Sequence, residues 1–194
     1  MIRDFYNKNK LFAGIVLLCI LLRLAFFISV RPWNNEVEHK LLEKDALEYN
    51  VLAVNILNYH QFSYTENGPP NSFRTPGYPF YLAAVYFIFG QAPWVVLLTQ
   101  IFIDTFSCII LYFLFLRIFN IKIALIASLF YALDPFLILH TSTLLSDILF
   151  VFLLILASSL LSQQLRSCHS FDTFRNRSIR RPNCSLRYER NRFR

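Results

Sequence analysis

Six of the chain's twelve carboxylates fall in one polar stretch, residues 31–92, between two apolar runs: Glu36, Glu38, Glu43, Asp45, Glu48 and Glu66. The same stretch holds Lys44 and the turn sequence Arg74-Thr-Pro-Gly-Tyr-Pro79. A membrane protein that only spans or packs needs short connections. A long connection carrying carboxylates, aromatic rings and a stiff Pro/Gly turn is where chemistry at the bilayer surface is placed. Within it, Leu42, Ala46, Tyr49, Ala53 and Ile56 recur at three- and four-residue steps. That spacing predicts an amphipathic helix over residues 41–59, lying in the membrane plane. Asp45 and Tyr49 stand one turn apart on it, which sets a carboxylate at the water–lipid boundary beside an aromatic ring. Other chemistries lack their residues. With only four glycines there is no phosphate-cradling loop, and no nucleophile elbow or zinc-like cluster appears.

The elements that must position these groups are membrane spans. The chain is 56% hydrophobic and 16% charged, with mean hydropathy +0.44, and a soluble surface demands more charge than that. Apolar runs cover residues 11–30, 94–119, 121–139 and 144–165, each about the twenty residues that cross a bilayer. The apolar stretch 78–90 is shorter and bounded by Pro79, Gly90 and Pro93, so it reads as interfacial or re-entrant. The fold class predicted is all-α, an integral membrane helical bundle of about four transmembrane helices with an outer loop, 31–92, carrying amphipathic and interfacial helices. With 78–90 not crossing, the Lys/Arg-rich segments 1–10, 117–122 and everything after 164 share one side, as the positive-inside rule requires. Both termini are then cytoplasmic and the acidic loop lies outside the cytoplasmic (inner) membrane. Asp134-Pro135 marks a kink or break in the third span.

Residues 1–166 form one membrane domain on this reading. Residues 167–194 change character: they hold eight arginines from Arg175 onward and no lysine. Two readings stand for that tail, a basic segment on anionic lipid heads or non-native sequence, and either predicts poor order. The net charge of +7 comes largely from the tail, so it does not point to nucleic acid. Cys19 and Cys108 lie in apolar spans as small hydrophobes, and Cys168 and Cys184 fall in the cytoplasmic tail, where a disulfide is not expected.

The order of motifs resembles a known family. A Lys/Arg-flanked first span is followed by Asp45-Ala-Leu-Glu-Tyr49-Asn-Val-Leu-Ala53, then Arg74-Thr-Pro-Gly-Tyr-Pro79 with an aromatic–aliphatic helix, then Leu144-Leu-Ser-Asp147-Ile-Leu-Phe150 opening a further span. This is similar to the N-terminal part of C-type membrane glycosyltransferases of the protein O-mannosyltransferase and aminoarabinose-transferase group, over residues 11–165. The resemblance implies sugar transfer from a polyprenyl-phosphate donor to a lipid or protein acceptor at the outer face. It also implies Asp45 as catalytic base. Such a donor already has an anionic leaving group, so what it needs is a carboxylate to take the acceptor's proton and cations to hold the departing phosphate. Arg74 and Lys44 suit the second role, with Tyr49 and Asp147 beside the substrate. Asp147 would orient the acceptor or hold a divalent cation; no other cofactor is implied. The family usually continues through further spans, so the 194-residue chain by itself is expected to be a truncated and inactive copy.

Plainer readings stand beside these. Asp45 can be a solvated helix residue balanced by Lys40 and Lys44. Glu43 and Glu48 read as solvent-facing. Arg74 can anchor the loop to lipid phosphates, and Asp147 can be a helix N-terminal partner. Among intramembrane charges, Arg23 either snorkels outward or meets a donor phosphate, whereas Asp104 reads as a bundle-facing hydrogen-bond partner. His140 reads as interfacial packing. The competing function is a small non-enzymatic membrane protein, an assembly or ligand-binding partner.

Overall fold

The computed structural model describes residues 2–34, 41, 45–66 and 68–179, with side chains over residues 10–164 of these. The described helices are α1 (Ile2–Val30), α2 (Asp45–Tyr59), α3 (Gly77–Phe89), α4 (Pro93–Ile118), α5 (Ile121–Leu133), α6 (Pro135–His140) and α7 (Asp147–Ile179). No strand occurs among the described residues. Three of these helices carry stretches long and apolar enough to cross a membrane: Lys10–Val30, Pro93–Ile118 and Asp147–Gln164.

The distribution of polarity identifies the solvent. Leu17, Leu21, Ile28, Phe102, Phe106 and Phe113 point outward, while Arg23, Gln100, Asp104, Ser107 and Ser128 are buried. Apolar outside and polar inside is the arrangement of a bundle solvated by lipid. The protein is an all-α integral membrane helical bundle. α4 is its centre, packing against α1, α3, α5 and α7.

The expected third crossing, residues 121–139, is broken. α5 ends at Leu133, and Asp134 takes extended backbone. Pro135 opens α6 with no N–H to continue the ladder, and the Asp134 carboxylate caps the new start by accepting from the Phe136 N–H at 2.8 Å and the Leu137 N–H at 3.4 Å. Three helices are long and apolar enough to cross, and the remaining stretch is two shorter helices, with the break where Asp134-Pro135 placed it.

α3 is 13 residues long, about 20 Å at 1.5 Å per residue and short of a hydrocarbon core of about 30 Å. It stops at Gly90, whose φ of +86° is open to glycine at no steric cost. The apolar stripe on α2 forms as the spacing predicts, with Ala46, Tyr49 and Ala53 buried. It covers α3 rather than lying on lipid alone: Tyr49 meets Tyr78 edge-on at 5.0 Å, and Tyr86 donates to Asn50 Oδ1 at 2.7 Å. Tyr49, Ala53, Tyr78, Leu82, Leu97, Ile101 and Leu144 share one core at this end of the bundle.

Deeper in the bundle, Arg23 departs from both expectations for it. It neither snorkels nor faces a cleft. It is fully buried and ion-paired with Asp104. Its Nη1 donates to the Ala132 carbonyl at 3.1 Å and the Cys19 carbonyl at 3.2 Å, and Tyr131 donates to Asp104 Oδ1 at 2.7 Å. The reason is dielectric: with Asp104 on the neighbouring helix, pairing removes two charges from lipid at once. Asp104 is thus bundle-facing, as expected. Cys19 and Cys108 are free thiols packed against Ala132 beside this pair. At the far end, α7 runs on to Ile179, into the segment assigned to the Arg-rich tail. Residues 180–194 lie outside the described residues, and so does the end of that tail.

Candidate active site

The site is assembled by a loop that folds back on α2. The helix ends at His60, which takes φ +55°. Buried Asn55 reaches out of the helix and donates to the Ser63 carbonyl at 2.7 Å. The Asn71 N–H bonds the Phe62 carbonyl at 2.7 Å, closing the loop. Gly68 sits so tightly inside it that a Cβ would lie 2.3 Å from Thr65 Oγ1. Asn71 Oδ1 then accepts from the backbone N–H groups of Phe73 and Arg74, each at 2.9 Å. This Asx turn points the Arg74 side chain at the first turns of α2.

Arg74 forks between two carboxylates. Its Nη2 donates to Asp45 Oδ1 at 2.5 Å, and its Nε donates to Glu48 Oε2 at 2.7 Å. Its guanidinium carbon stands 5.3 Å from the Tyr49 ring centre and 5.1 Å from that of Phe73, within cation–π range. Tyr64 donates its hydroxyl to the same Glu48 oxygen at 2.8 Å. Arg74 therefore touches two other predicted site residues, Asp45 and Tyr49. Lys44, Glu36, Glu38 and Glu43 lie outside the described residues.

The two carboxylates are not equivalent. Hydrogen bonds from Arg74 and then from Tyr64 hold Glu48 below the ordinary carboxylate range. Reciprocally, Glu48 and then Asp45 push the Arg74 guanidinium further into its charged range. A carboxyl whose folded value is depressed stabilises the fold above its unfolded value, near 4.3. That contribution is lost as pH falls through the lower folded value. Titrating the Glu48 carboxyl by carbon NMR should give a midpoint below that of a free glutamate. Arg74→Ala should return it toward the ordinary value, and an unmoved midpoint would discount the fork.

Asp147 opens α7 at the wall of a separate small cleft of about 230 Å³, faced by Thr75, Gly77 and Tyr78 on one side and Ser146, Asp147 and Phe150 on the other. Thr75 directly follows Arg74, so the Arg-Thr-Pro-Gly-Tyr-Pro turn has the carboxylate fork at its start and Asp147 across the cleft from its middle. His140 Nδ1 stands 2.7 Å from Asp147 Oδ2, an ion pair when the imidazole is protonated. Its ring also lies 4.0 Å from that of Phe136. Behind the cleft, buried Gln100 donates from Nε2 to the Tyr78 hydroxyl and to the Leu145 carbonyl, both at 3.2 Å, tying α3 and the start of α7 to α4. Among the described residues no three His, Cys, Asp or Glu side chains gather as metal ligands. Asp147 with His140 is a pair, not a set.

Two residues read as surface or packing thus belong to the polar network: Glu48, paired with Arg74 and Tyr64, and His140, paired with Asp147. Glu48 carried a usable signal, since it lies three residues after Asp45, one turn along the same helix. A family model described as dolichyl-phosphate-mannose-protein mannosyltransferase matches residues 73–170. No curated protein and no solved structure in the comparisons matches the chain.

Proposed function

Because this chain belongs to the dolichyl-phosphate-mannose-protein mannosyltransferase family, a membrane glycosyltransferase of the mannosyltransferase type, we propose that the Asp45–Arg74 fork is the reacting edge of a site that takes sugar from a polyprenyl phosphate. The observation that carries this reading is the fork itself. Arg74 lies inside the family-matched stretch and grips a carboxylate that lies before it. Asp45 is the base in this reading: its side chain is 56% exposed against 40% for Glu48, and Glu48 Oε2 is taken by two donors. The acceptor hydroxyl gives its proton to Asp45 as its oxygen bonds the sugar's anomeric carbon, and the bond from that carbon to the donor phosphate oxygen breaks. The leaving group departs as an anion and needs no strong acid. Arg74 keeps Asp45 aimed and offers its remaining N–H groups to the phosphate, with Lys44 in the same role; the Tyr49 ring holds the guanidinium in place. Asp147 orients the acceptor from across the cleft, with a divalent cation as the other use of its carboxylate. The positive-inside distribution supports placing this edge outside the cytoplasmic membrane with both termini inside.

Charge decides the test. Asp45, Glu48 and Arg74 together carry one net negative charge, and without the arginine they carry two. Arg74→Ala therefore removes a donor and unmasks repulsion. In lipid nanodiscs it should weaken binding of a polyprenyl-phosphate mannose by about ten- to hundred-fold, the range of a lost charge-assisted contact. Arg74→Lys should recover only part, because a lysine keeps the charge but not the fork. Equal donor affinity in wild type and Arg74→Ala would end this reading.

A further inference from the structure

A second cavity lies away from the fork, between α1 and α5. It measures about 830 Å³ and is walled by Lys10, Gly14 and Leu18 of α1 and Leu125, Ile126 and Leu129 of α5. That volume is within the range of pockets that take lipid- or drug-sized ligands, roughly 300–1,000 Å³. Nothing stands within 4 Å of where a Gly14 Cβ would be, so the glycine forms part of the opening.

Its two ends differ in chemistry. Toward the middle of the bundle the walls are aliphatic. Lys10 stands at the other end, as the first residue of the apolar stretch of α1. Lys122, four residues before Ile126, continues the α5 face that lines the groove and is exposed. Phe12 stacks on Tyr112 with ring centres 3.8 Å apart, which sets the start of α1 level with the last turns of α4. Arg117 follows there, and its Nη1 is buried with no hydrogen-bond partner among the described residues. Cations at one end and aliphatic walls below them match an amphiphile with an anionic head.

We propose that this groove is a binding site for an anionic glycerophospholipid, with an acyl chain along Gly14 and Leu18 and the phosphate at Lys10 and Lys122. Acyl chains in the surrounding bilayer are as apolar as leucine, so the groove gains nothing from hydrophobicity as such. Filling it recovers the dispersion contacts that an empty groove forfeits. Selection of the lipid comes from the headgroup, because juxtamembrane lysines attract anionic lipid.

The test uses nanodiscs of 20% phosphatidylglycerol in phosphatidylcholine, mild detergent extraction and native mass spectrometry of the lipid that stays bound. The wild-type chain should retain phosphatidylglycerol well above its share of the bilayer. Gly14→Leu places a side chain in the opening and should lose most of the retained lipid while keeping its helical circular dichroism. Lys10→Gln with Lys122→Gln leaves the groove open and should still hold phospholipid. Its preference for phosphatidylglycerol should fall about five-fold per lysine, some twenty-five-fold together. Retention that mirrors the bilayer composition in the wild type would overturn the proposal, as would a double glutamine variant with undiminished preference. A dimer in the wild type that Gly14→Leu dissociates would also overturn it, by making the groove an interface between two copies.

Discussion

In membranes where the chain transfers sugar, which would overturn the inactivity expected of a truncated copy, Asp45→Asn is expected to lower that transfer by about 10²–10⁴-fold, the usual contribution of a positioned general base. The amide keeps an oxygen that can accept from Arg74 Nη2, so the loop and α2 should stay together. Donor binding should strengthen slightly or hold, because one negative charge leaves a site that carries a net excess of one. That split between transfer and binding separates a base from a structural partner. Removing a partner that only held the loop would weaken both. Glu48→Gln is the matched control. It keeps an acceptor for Arg74 Nε and for Tyr64, and its effect on transfer should stay within about ten-fold, the scale of one weakened charge-assisted bond. Transfer of labelled mannose from a polyprenyl phosphate reads out all three proteins. Asp45→Asn within two-fold of the wild-type rate, or Glu48→Gln losing more than Asp45→Asn, would remove Asp45 from the role of base.

The parts of this molecule legible from sequence are those set by local patterns. Length and apolarity place the spans because a helix must cover the hydrocarbon with its own backbone bonds satisfied. The three- and four-residue stripe on α2 reports its buried face for the same reason that any helix does. Asp134-Pro135 breaks its helix by covalent constraint, which no neighbour has to supply. What was not legible depends on how helices rotate against one another. Arg23 and Asp104 are 81 residues apart, and hydropathy says only that each is expensive in lipid, not that one meets the other. The same holds for His140 and Asp147, joined when α6 turns back toward the start of α7. Glu48 failed for a different reason. On α2 it flanks Tyr49 and looks like one more solvated carboxylate, and only the returning loop, pinned by Asn55 and Asn71, gives it a cation. The proximity of Asp45, Tyr49 and Arg74 was half legible: the first two by helical spacing, the third only through the order of motifs.

The buried pair carries the second large expectation. Arg23→Ala should destabilise the bundle by about 3–5 kcal/mol, the cost of leaving one member of a buried ion pair alone. Asp104 would then face lipid-screened interior without its cation, and the carbonyls of Cys19 and Ala132 would lose their donor. Asp104→Leu should cost a similar amount by stranding the guanidinium and the Tyr131 hydroxyl. The combined Arg23→Met, Asp104→Leu variant should recover most of the loss, because hydrophobic replacement of a whole buried pair is often neutral or stabilising. Thermal unfolding of each variant in nanodiscs gives the comparison. Additive losses in the double variant would mean that the two charges are not coupled, and single variants as stable as the wild type would mean that the pair contributes nothing. A rescued double variant has a functional corollary. The pair joins α1, α4 and α5, whereas the fork is made by α2 and the loop before α3. If stability returns and donor binding returns with it, the pair acts only through the scaffold. Its charge then exists because two polar residues must meet in lipid, and the chemistry at Asp45 does not depend on it.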